Sequence, residues 1–328
     1  MKNFTYQYPV QVYFGETVTK DALKAEFSKY GSNVLFAYGG GSIKKVGIYD
    51  EILQALKDAG KKVTEFSGIM SNPTYQKVQE GAALAKENKI DFILAVGGGS
   101  VIDCCKIVSA QAKLDCDIWD FEYTEHKSPT EFVPMGAVVT AFGTGAEMNN
   151  GAVITNEAKK MKSPLWGAFY DFAVLDVNYT MTMPISQVIS GSFDTLSHCM
   201  ETYLGTPRDT NLSDEINEAV MRNVVKNMRK TLKNHKDKFA RSELIWAAAM
   251  AENVWGISRE NKTDEELALE GINALAAFIK EVGLPTTLAE MGITDTDYKA
   301  IAESTILTGG CCKKLDAQEI EKILKECI

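Results

Sequence analysis

The chain contains 328 residues, of which 45% are hydrophobic and 24% charged, which excludes a disordered or fibrous protein and suits two domains. Its formal net charge of −9 argues against a nucleic-acid partner, because phosphate binding needs clustered Lys and Arg. No apolar run reaches the length of a membrane span, so we expect no membrane association and a cytoplasmic location.

Short β-branched runs alternate with amphipathic stretches through the first half of the chain. The opening segment 6–14 alternates like an edge hairpin. Strands are predicted at 34–38, 62–66, 90–96, 134–140 and 172–176, and helices at 48–59, at 75–88 and from Ser100. This alternation predicts a parallel sheet with crossover helices. From residue 185 the periodicity is helical, with the clearest helices at 214–232, 241–254, 264–281 and 317–327.

Three consecutive glycines, Gly97–Gly99, stand between the most apolar predicted strand and a predicted helix. Glycines let the backbone approach a ligand closely, and a helix N-terminus presents free N–H groups to an anion. Ser100 and Asp103 can instead form a capping box, which would explain those two residues without a ligand. Capping does not account for three glycines, so the pattern favours a pyrophosphate site.

A second glycine turn, Gly39–Gly41 followed by Ser42, comes directly after the predicted strand that ends at Tyr38. In dinucleotide-binding folds an acidic residue near this position selects NAD through the adenosine ribose. Glycine here, with Lys44 and Lys45 close behind, leaves room and positive charge for the 2′-phosphate of NADP. A plain tight turn explains the same glycines equally well.

Two further segments carry polar side chains with possible chemistry. The loop from Thr140 to Asn149 follows a predicted strand, the place where α/β proteins bind their ligands. Asp194 and His198 are four residues apart, so on a helix they share one face and can converge on a metal. In isolation, an ion pair within one helix is the better explanation of that spacing.

Taken together, these motifs resemble the iron-type (group III) alcohol dehydrogenases, most closely their butanol dehydrogenase branch. The resembling segments are GGGSVID at 97–103, TGAEMNNGAVITN at 144–156 and GSFDTLSHCMETY at 191–203, in the same order along the chain. The resemblance implies a Rossmann-like dinucleotide-binding α/β domain over residues 1–180 and a helical metal-binding domain over 181–328, an architecture like that of dehydroquinate synthase. It also implies a small alcohol or aldehyde substrate and a homodimer.

The resemblance assigns site residues position by position. The cofactor NADP(H) is expected at Gly39, Gly40, Gly41, Ser42, Asn72, Gly98, Gly99, Ser100, Asp103, Thr140, Thr144, Asn149 and Lys160. A divalent metal, iron or zinc, is expected at Asp194 and His198, which are also the expected catalytic residues. In the reaction so implied, the metal polarises an aldehyde oxygen while NADPH delivers hydride to the carbonyl carbon.

The chain departs from the family pattern at the metal site. Family members supply two further histidines from the helical domain, whereas this sequence contains only three in total: His126, His198 and His235. The segment that carries the two missing ligands is expected between Asn253 and the following Val-Trp-Gly-Ile, so we predict an internal loss near residue 253. The leading hypothesis is an NADP-dependent alcohol dehydrogenase or aldehyde reductase. Its rival is a catalytically impaired dinucleotide-binding homologue.

Overall fold

The computed structural model describes residues 8–204, 212–250, 264–293, 297–305 and 315–327. Its residues form two compact units, one made of 1–195 and 226–250 and the other of 196–225 and 251–328. The division at residue 180 into a cofactor domain and a metal domain stays a prediction. The predicted internal loss near Asn253 lies outside the described residues.

The first unit contains a six-stranded parallel sheet in the order β1-β8-β5-β4-β2-β3, as the alternation of strands and helices predicts. The strands of the molecule are β1 (Gln11–Gly15), β2 (Asn33–Tyr38), β3 (Lys62–Phe66), β4 (Phe92–Gly97), β5 (Met135–Val139), β6 (Gly151–Asn156), β7 (Met161–Trp166) and β8 (Phe172–Asp176). Strands β4, β5 and β8 are buried along their whole length, because helices cover both faces of a parallel sheet and only apolar runs suit such a position.

The helices agree with the predicted ones to within a few residues wherever both exist. They are α1 (Thr19–Phe27), α2 (Ser42–Lys45), α3 (Ile48–Asp58), α4 (Tyr75–Glu87), α5 (Gly99–Gln111), α6 (Ile118–Tyr123), α7 (Val177–Thr180), α8 (Ile185–Tyr203), α9 (Leu212–Lys233), α10 (Lys238–Met250), α11 (Asp264–Glu281), α12 (Tyr298–Ser304) and α13 (Ala317–Glu326). The predicted continuation of α10 to residue 254 lies outside the described residues.

One face of the sheet packs against α1 and α3 through an aromatic cluster, in which Phe92 and Phe172 are fully buried and Tyr30 is partly buried. Phe92 stacks on Phe172 with ring centroids 6.0 Å apart, and Tyr30 stacks on Phe92 at 4.4 Å. Leu23 of α1 and Ile52 of α3 belong to the same core cluster and are completely buried. Burying such side chains contributes roughly 1.5–3 kcal/mol each, so this face holds the sheet rigid beneath its loops.

The opening segment differs from the predicted edge hairpin. Within the described residues it forms one strand, β1, which pairs in parallel with β8 at the edge of the same sheet. Gln11 pairs with Phe172, 161 residues further along the chain, and so distant a partner leaves no local signature. The extended conformation of this segment was therefore predicted, but its pairing was not. The other edge of β1 has no strand beside it in the described residues.

A two-stranded antiparallel hairpin, β6–β7, follows the loop after β5 and was not predicted. Helix α6 holds it from one side: the carboxylate of Glu122 accepts a hydrogen bond from the Trp166 N–H at 2.9 Å, and the Tyr123 hydroxyl donates to the Pro164 carbonyl at 2.6 Å. Lys159 in the connecting turn also forms a 2.7 Å ion pair with Asp120. The hairpin is thus fixed relative to α6.

In the second unit, every regular element within the described residues is a helix or a 3-10 turn, as the sequence predicts. Helix α13 begins at a capping box between Asp316 and Glu319, and the Leu288 N–H donates to the Cys327 carbonyl at 2.7 Å after that helix ends. None of the helices that the structure describes combines the length and the apolar character required to cross a bilayer.

Candidate functional site

The two glycine turns lie side by side at the carboxyl edge of the sheet. The chain runs from β2 outward to β3 and then returns to β4 on the other side of β2, so the strand order reverses between β2 and β4. Open α/β sheets bind ligands in the crevice at such a reversal. The side chain of Val101 joins the turns: its Cγ2 is 2.5 Å from the position of a Cβ on Gly97 and 3.7 Å from that of a Cβ on Gly39.

Helix α5 begins at Gly99, one residue earlier than predicted, and the alternative explanation of Ser100 and Asp103 as a capping box does not hold. Gly98 is the N-cap residue, and no side chain caps the helix. Ser100 therefore lies inside the first turn, while Asp103 accepts a hydrogen bond from the Val153 N–H at 3.0 Å, on the side of β6. The first amides of a helix have no intrahelical acceptor, and together with the helix dipole they attract an anion. Removing the capping explanation leaves a helix end suited to a phosphate.

Space for a ligand is greatest at the first glycine turn. A Cβ added at Gly40 or Gly41 would meet no described atom within 4 Å, and neither residue has positive φ. Packing and backbone conformation within the described residues therefore do not explain glycine at these positions. At the second turn the fit is closer: a Cβ on Gly98 would lie 3.1 Å from Cβ of Ala141, and one on Gly99 would lie 3.2 Å from Oγ1 of Thr144. These glycines allow the strand ends and the following loop to meet around an open surface.

Lys44 beside the first turn is held by aromatic and acidic neighbours. Its Nζ atom lies 5.1 Å from the centre of the Tyr38 ring and 3.8 Å from Oε2 of Glu65. Glu65 also accepts hydrogen bonds from the hydroxyls of Tyr38 and Tyr49, and the Tyr38 bond is the main reason that the pKa of Glu65 is lowered. Sequence reasoning treated Lys44 as free positive charge, but Glu65 offsets part of that charge.

The loop after β5 lies against both the second glycine turn and α10. The Thr140 N–H donates to the Gly97 carbonyl at 2.9 Å, and Oγ1 of Thr144 accepts from the Ala146 N–H at 3.2 Å. Gly145 has φ of +60°, and a Cβ there would lie 2.4 Å from the carbonyl oxygen of Ala248 in α10. Only glycine fits this position, which fixes the path of the loop.

Two assigned cofactor residues, Asn72 and Lys160, lie outside the glycine turns in sequence. Oδ1 of Asn72 accepts a 2.8 Å hydrogen bond from Nζ of Lys162 on β7. Lys160 is exposed in the turn between β6 and β7, with φ of +51°. No described contact joins Lys160 to the Thr140–Asn149 loop, so its assignment to the nicotinamide side stays a prediction. The same holds for the cofactor roles of the other assigned residues.

Asp194 and His198 lie four residues apart on α8, as predicted. Gly191 and Thr195 pack this helix on the loop after β5: Oγ1 of Thr195 donates to the Gly143 carbonyl at 2.9 Å. A Cβ on Gly143 would lie 2.9 Å from Oδ2 of Asp194, so glycine makes room for that carboxylate. His198 has its Nδ1 atom 3.8 Å from Oε2 of Glu201.

The donor set in the described residues does not fit a complete metal site. A metal centre generally has at least three protein ligands, and no group of three or more His, Cys, Asp or Glu side chains there is arranged to hold a metal. All three histidines of the sequence are described, and His126 and His235 lie in exposed loops. Of the other side chains that could offer a donor atom, Glu147 and Cys199 are buried and Glu201 is exposed.

Sequence reasoning missed Lys106, which lies on α5 with no exposed surface. Its Nζ atom donates to Oδ1 of Asn149 at 2.8 Å and to the Gly151 carbonyl at 2.7 Å, and it lies 3.9 Å from Oδ1 of Asp103. A lysine inside the apolar run Val101–Ala110 is a signal that could have marked it, because a buried charge needs partners. Asn149 and Gly151 are 43 and 45 residues away in sequence, so these two partners were not predictable.

Comparison with known proteins matches the chain to two family models. The model for iron-containing alcohol dehydrogenase matches residues 9–177, and the model for the C-terminal part of the Fe-containing alcohol dehydrogenase family matches residues 188–259. The first match covers the whole six-stranded sheet.

Among curated proteins, the chain is 34% identical to the probable NADH-dependent butanol dehydrogenase 1 of Bacillus subtilis over 99% of both chains. It is 37% identical to the NADPH-dependent aldehyde reductase YqhD of Escherichia coli, over 77% of this chain and 65% of that protein. A solved structure of NADH-dependent butanol dehydrogenase A from Thermotoga maritima superposes with a TM-score of 0.90 at 29% identity, covering 100% and 99% of the two chains.

The alignment with the Bacillus subtilis protein also exposes an internal difference in length. It spans 387 positions, whereas this chain has 328 residues, so at least 59 aligned positions have no residue here. Because 99% of both chains is covered, these positions are internal. The matching models, the shared identity and the common fold agree, and this chain belongs to the iron-containing alcohol dehydrogenase family.

Proposed function

We propose that this chain is an NADP-linked alcohol dehydrogenase or aldehyde reductase that retains its cofactor site and has lost part of its metal site. The observation that carries the cofactor proposal is the pair of glycine turns at the strand reversal. Gly40 and Gly41 border open space, and the neighbouring helix α5 begins without a side-chain cap. Such a surface suits a dinucleotide, whose phosphates need amide donors and close backbone approach.

The proposed assignment follows the sheet edge. Gly98, Gly99 and Ser100 bind the pyrophosphate, with Asp103 nearby. Gly39 to Ser42 border the adenosine ribose, with Asn72 nearby. Thr140, Thr144, Asn149 and Lys160 line the nicotinamide half. When bound, the nicotinamide supplies hydride to an aldehyde or accepts it from an alcohol.

A preference for NADP(H) over NAD(H) is part of the proposal. Gly39 presents no carboxylate to a ribose hydroxyl, and the 2′-phosphate would find the Lys44 ammonium beside the turn. Glu65 moderates this preference because it lies 3.8 Å from Lys44. The relatives named above include both NADH- and NADPH-dependent enzymes, so the proposed cofactor preference rests on the residues of the first glycine turn.

A second candidate function, that of a catalytically impaired cofactor-binding homologue, has specific support. Asp194 and His198 supply two of the ligands expected for iron or zinc, the described residues offer no third, and the chain is at least 59 positions shorter internally than a relative. Loss of supporting residues around a metal already lowers affinity by about 10–100-fold, and loss of ligands lowers it further. We therefore infer weak metal binding and slow turnover for the chain as its sequence stands.

The substrate class and assembly complete the proposal. Small primary alcohols and aldehydes are the proposed substrates, since relatives are named for butanol and aldehydes. We also propose a cytoplasmic homodimer formed through the open edge of β1, because proteins usually cover or pair an exposed strand edge. A monomer in light scattering at micromolar concentration would contradict the dimer.

Four measurements on one purified sample test the proposal: its mass, its cofactor affinity, its metal content and its rate of aldehyde reduction. Intact-mass spectrometry first establishes that the protein has the length of this sequence. NADPH titration followed by nicotinamide fluorescence should then give saturable binding, tighter than that of NADH. Metal analysis after exposure to Fe²⁺ or Zn²⁺ should give well below one equivalent after desalting, with slow reduction of butyraldehyde. Absence of NADPH binding refutes the cofactor site; one tightly held metal with rapid turnover refutes the inferred loss.

A further inference from the structure

Lys106 is a fully buried cation directed at one side chain of the proposed cofactor site. It lies on α5, and its Nζ atom reaches Oδ1 of Asn149 at 2.8 Å. The Gly151 carbonyl and the Asp103 carboxylate also lie beside this atom, at 2.7 and 3.9 Å. A cation without exposed surface costs several kcal/mol in desolvation unless such groups compensate it, so its neighbours are strongly constrained.

The contact fixes the orientation of the Asn149 amide. An ammonium group has only donors, so the atom facing Lys106 has to be the amide oxygen. The Gly151 N–H donates to the same oxygen at 3.1 Å, which reinforces that orientation. The amide nitrogen of Asn149, with its two N–H donors, then faces away from both groups. Within the part of the chain that the structure describes, this nitrogen has no hydrogen-bond partner, and Asn149 is half-buried.

We propose that Lys106 is a positioning residue that orients Asn149 so that its amide nitrogen donates a hydrogen bond to the nicotinamide half of the cofactor. The acceptor would be an oxygen of the carboxamide or of the adjoining ribose. This inference rests on the proposed function, because it needs a dinucleotide in the site. In this proposal Lys106 does not contact the cofactor itself, but it determines which atom of the Asn149 amide faces the cofactor.

Asn149→Asp separates the donor from the rest of the contact. An aspartate keeps oxygens for Lys106 and for the Gly151 N–H, but offers acceptors where Asn149 has donors. We expect this variant to bind NADPH about ten-fold more weakly, because one hydrogen bond is lost and two acceptor oxygens repel each other. Its melting temperature should not change. Lys106→Met should weaken NADPH binding about three- to ten-fold, because the amide is then free to flip. Lys113→Met, at an exposed lysine just after α5, is the matched control.

Adenosine 2′,5′-bisphosphate distinguishes positioning from a general structural effect. This probe has no nicotinamide, so both variants should bind it as tightly as the unmodified protein. In the Asn149→Ala background, Lys106→Met should have no further effect on NADPH affinity. The inference is overturned if Asn149→Asp binds NADPH as tightly as the unmodified protein. It is also overturned if this variant loses affinity for NADPH and for the bisphosphate equally. Both outcomes can be measured even when Lys106→Met does not fold. If the unmodified chain binds neither ligand, the proposed function itself fails and this inference fails with it.

Discussion

The Nζ atom of Lys44 lies 4.3 Å from the centre of the Tyr49 ring, where it is held beside the first glycine turn. Lys44→Met should weaken NADPH binding several-fold and leave NADH binding nearly unchanged, because only NADPH carries a 2′-phosphate near this ammonium. The effect should shrink as salt is added, since the side chain is exposed and screened. Dissociation constants from fluorescence titration test it, with Lys57→Met, near the far end of α3, as the control. Equal losses for both cofactors would contradict the assignment.

Gly39→Asp should erode the preference for NADPH. The new carboxylate repels the 2′-phosphate and offers an acceptor to the ribose hydroxyl of NADH. A Cβ at this position would lie 3.1 Å from the Ile69 carbonyl oxygen, so a small backbone adjustment accompanies any substitution. Gly39→Ala makes the same adjustment without charge and serves as the control. The ratio of the two dissociation constants should change in the aspartate variant alone; a similar change in both would assign the effect to shape.

Gly145 and Gly40 should respond oppositely to alanine. Gly145→Ala forces a side chain onto positive φ against the Ala248 carbonyl and should lower the free energy of unfolding by about 2–4 kcal/mol. Gly40→Ala meets no described atom and should leave that free energy within about 0.5 kcal/mol of the original. The same Gly40 variant should bind NADPH measurably more weakly. Urea unfolding and NADPH titration of both proteins test the pair, and a stable Gly40→Ala with unaltered affinity would count against a ligand at this turn.

Glu122 makes stability depend on pH. Burial raises its pKa from 4.5 to about 7, although the Trp166 N–H opposes the shift. The folded protein therefore binds more protons than the unfolded chain between about pH 4.5 and 7. The contribution of Glu122 to the free energy of unfolding is therefore greatest below pH 4.5, the pKa in the unfolded chain. It is lost as the pH rises through about 7, the pKa in the folded protein. Glu122→Gln, which is neutral throughout, should melt above the unmodified protein at pH 8 and together with it near pH 4. Exposed Glu125→Gln is the control, and a pH-independent difference would contradict this account.

The sequence predicted what depends on local pattern and missed what depends on distant partners. Strands β4 and β8 were found because a buried parallel strand is a continuous apolar run. The hairpin β6–β7 was missed because Pro164 interrupts one of its strands, which a free edge tolerates. Helix α5 was predicted one residue late, and for that reason Ser100 could be considered as a capping residue.

The site followed the same division. The glycine turns and the Thr140 loop were predicted because each directly follows a strand. The bond from Lys106 to Asn149 spans 43 residues, and no spacing rule connects them. Glu65 likewise reaches Lys44 only because β2 and β3 pair in parallel and end at the same edge.

Because Gly40 and Gly41 border open space, selection for cofactor binding can act on them separately from selection for folding. Most other positions near the strand ends are packed against neighbouring residues, so a substitution there changes the stability of the fold as well as ligand binding. A Cβ added at residue 40 or 41 would lie within 4 Å of no described atom, so side chains can be introduced there with little loss of stability. The proposed preference for one nicotinamide cofactor could thus be changed, by evolution or by design, through substitutions in this turn alone, without disturbing the sheet beneath it.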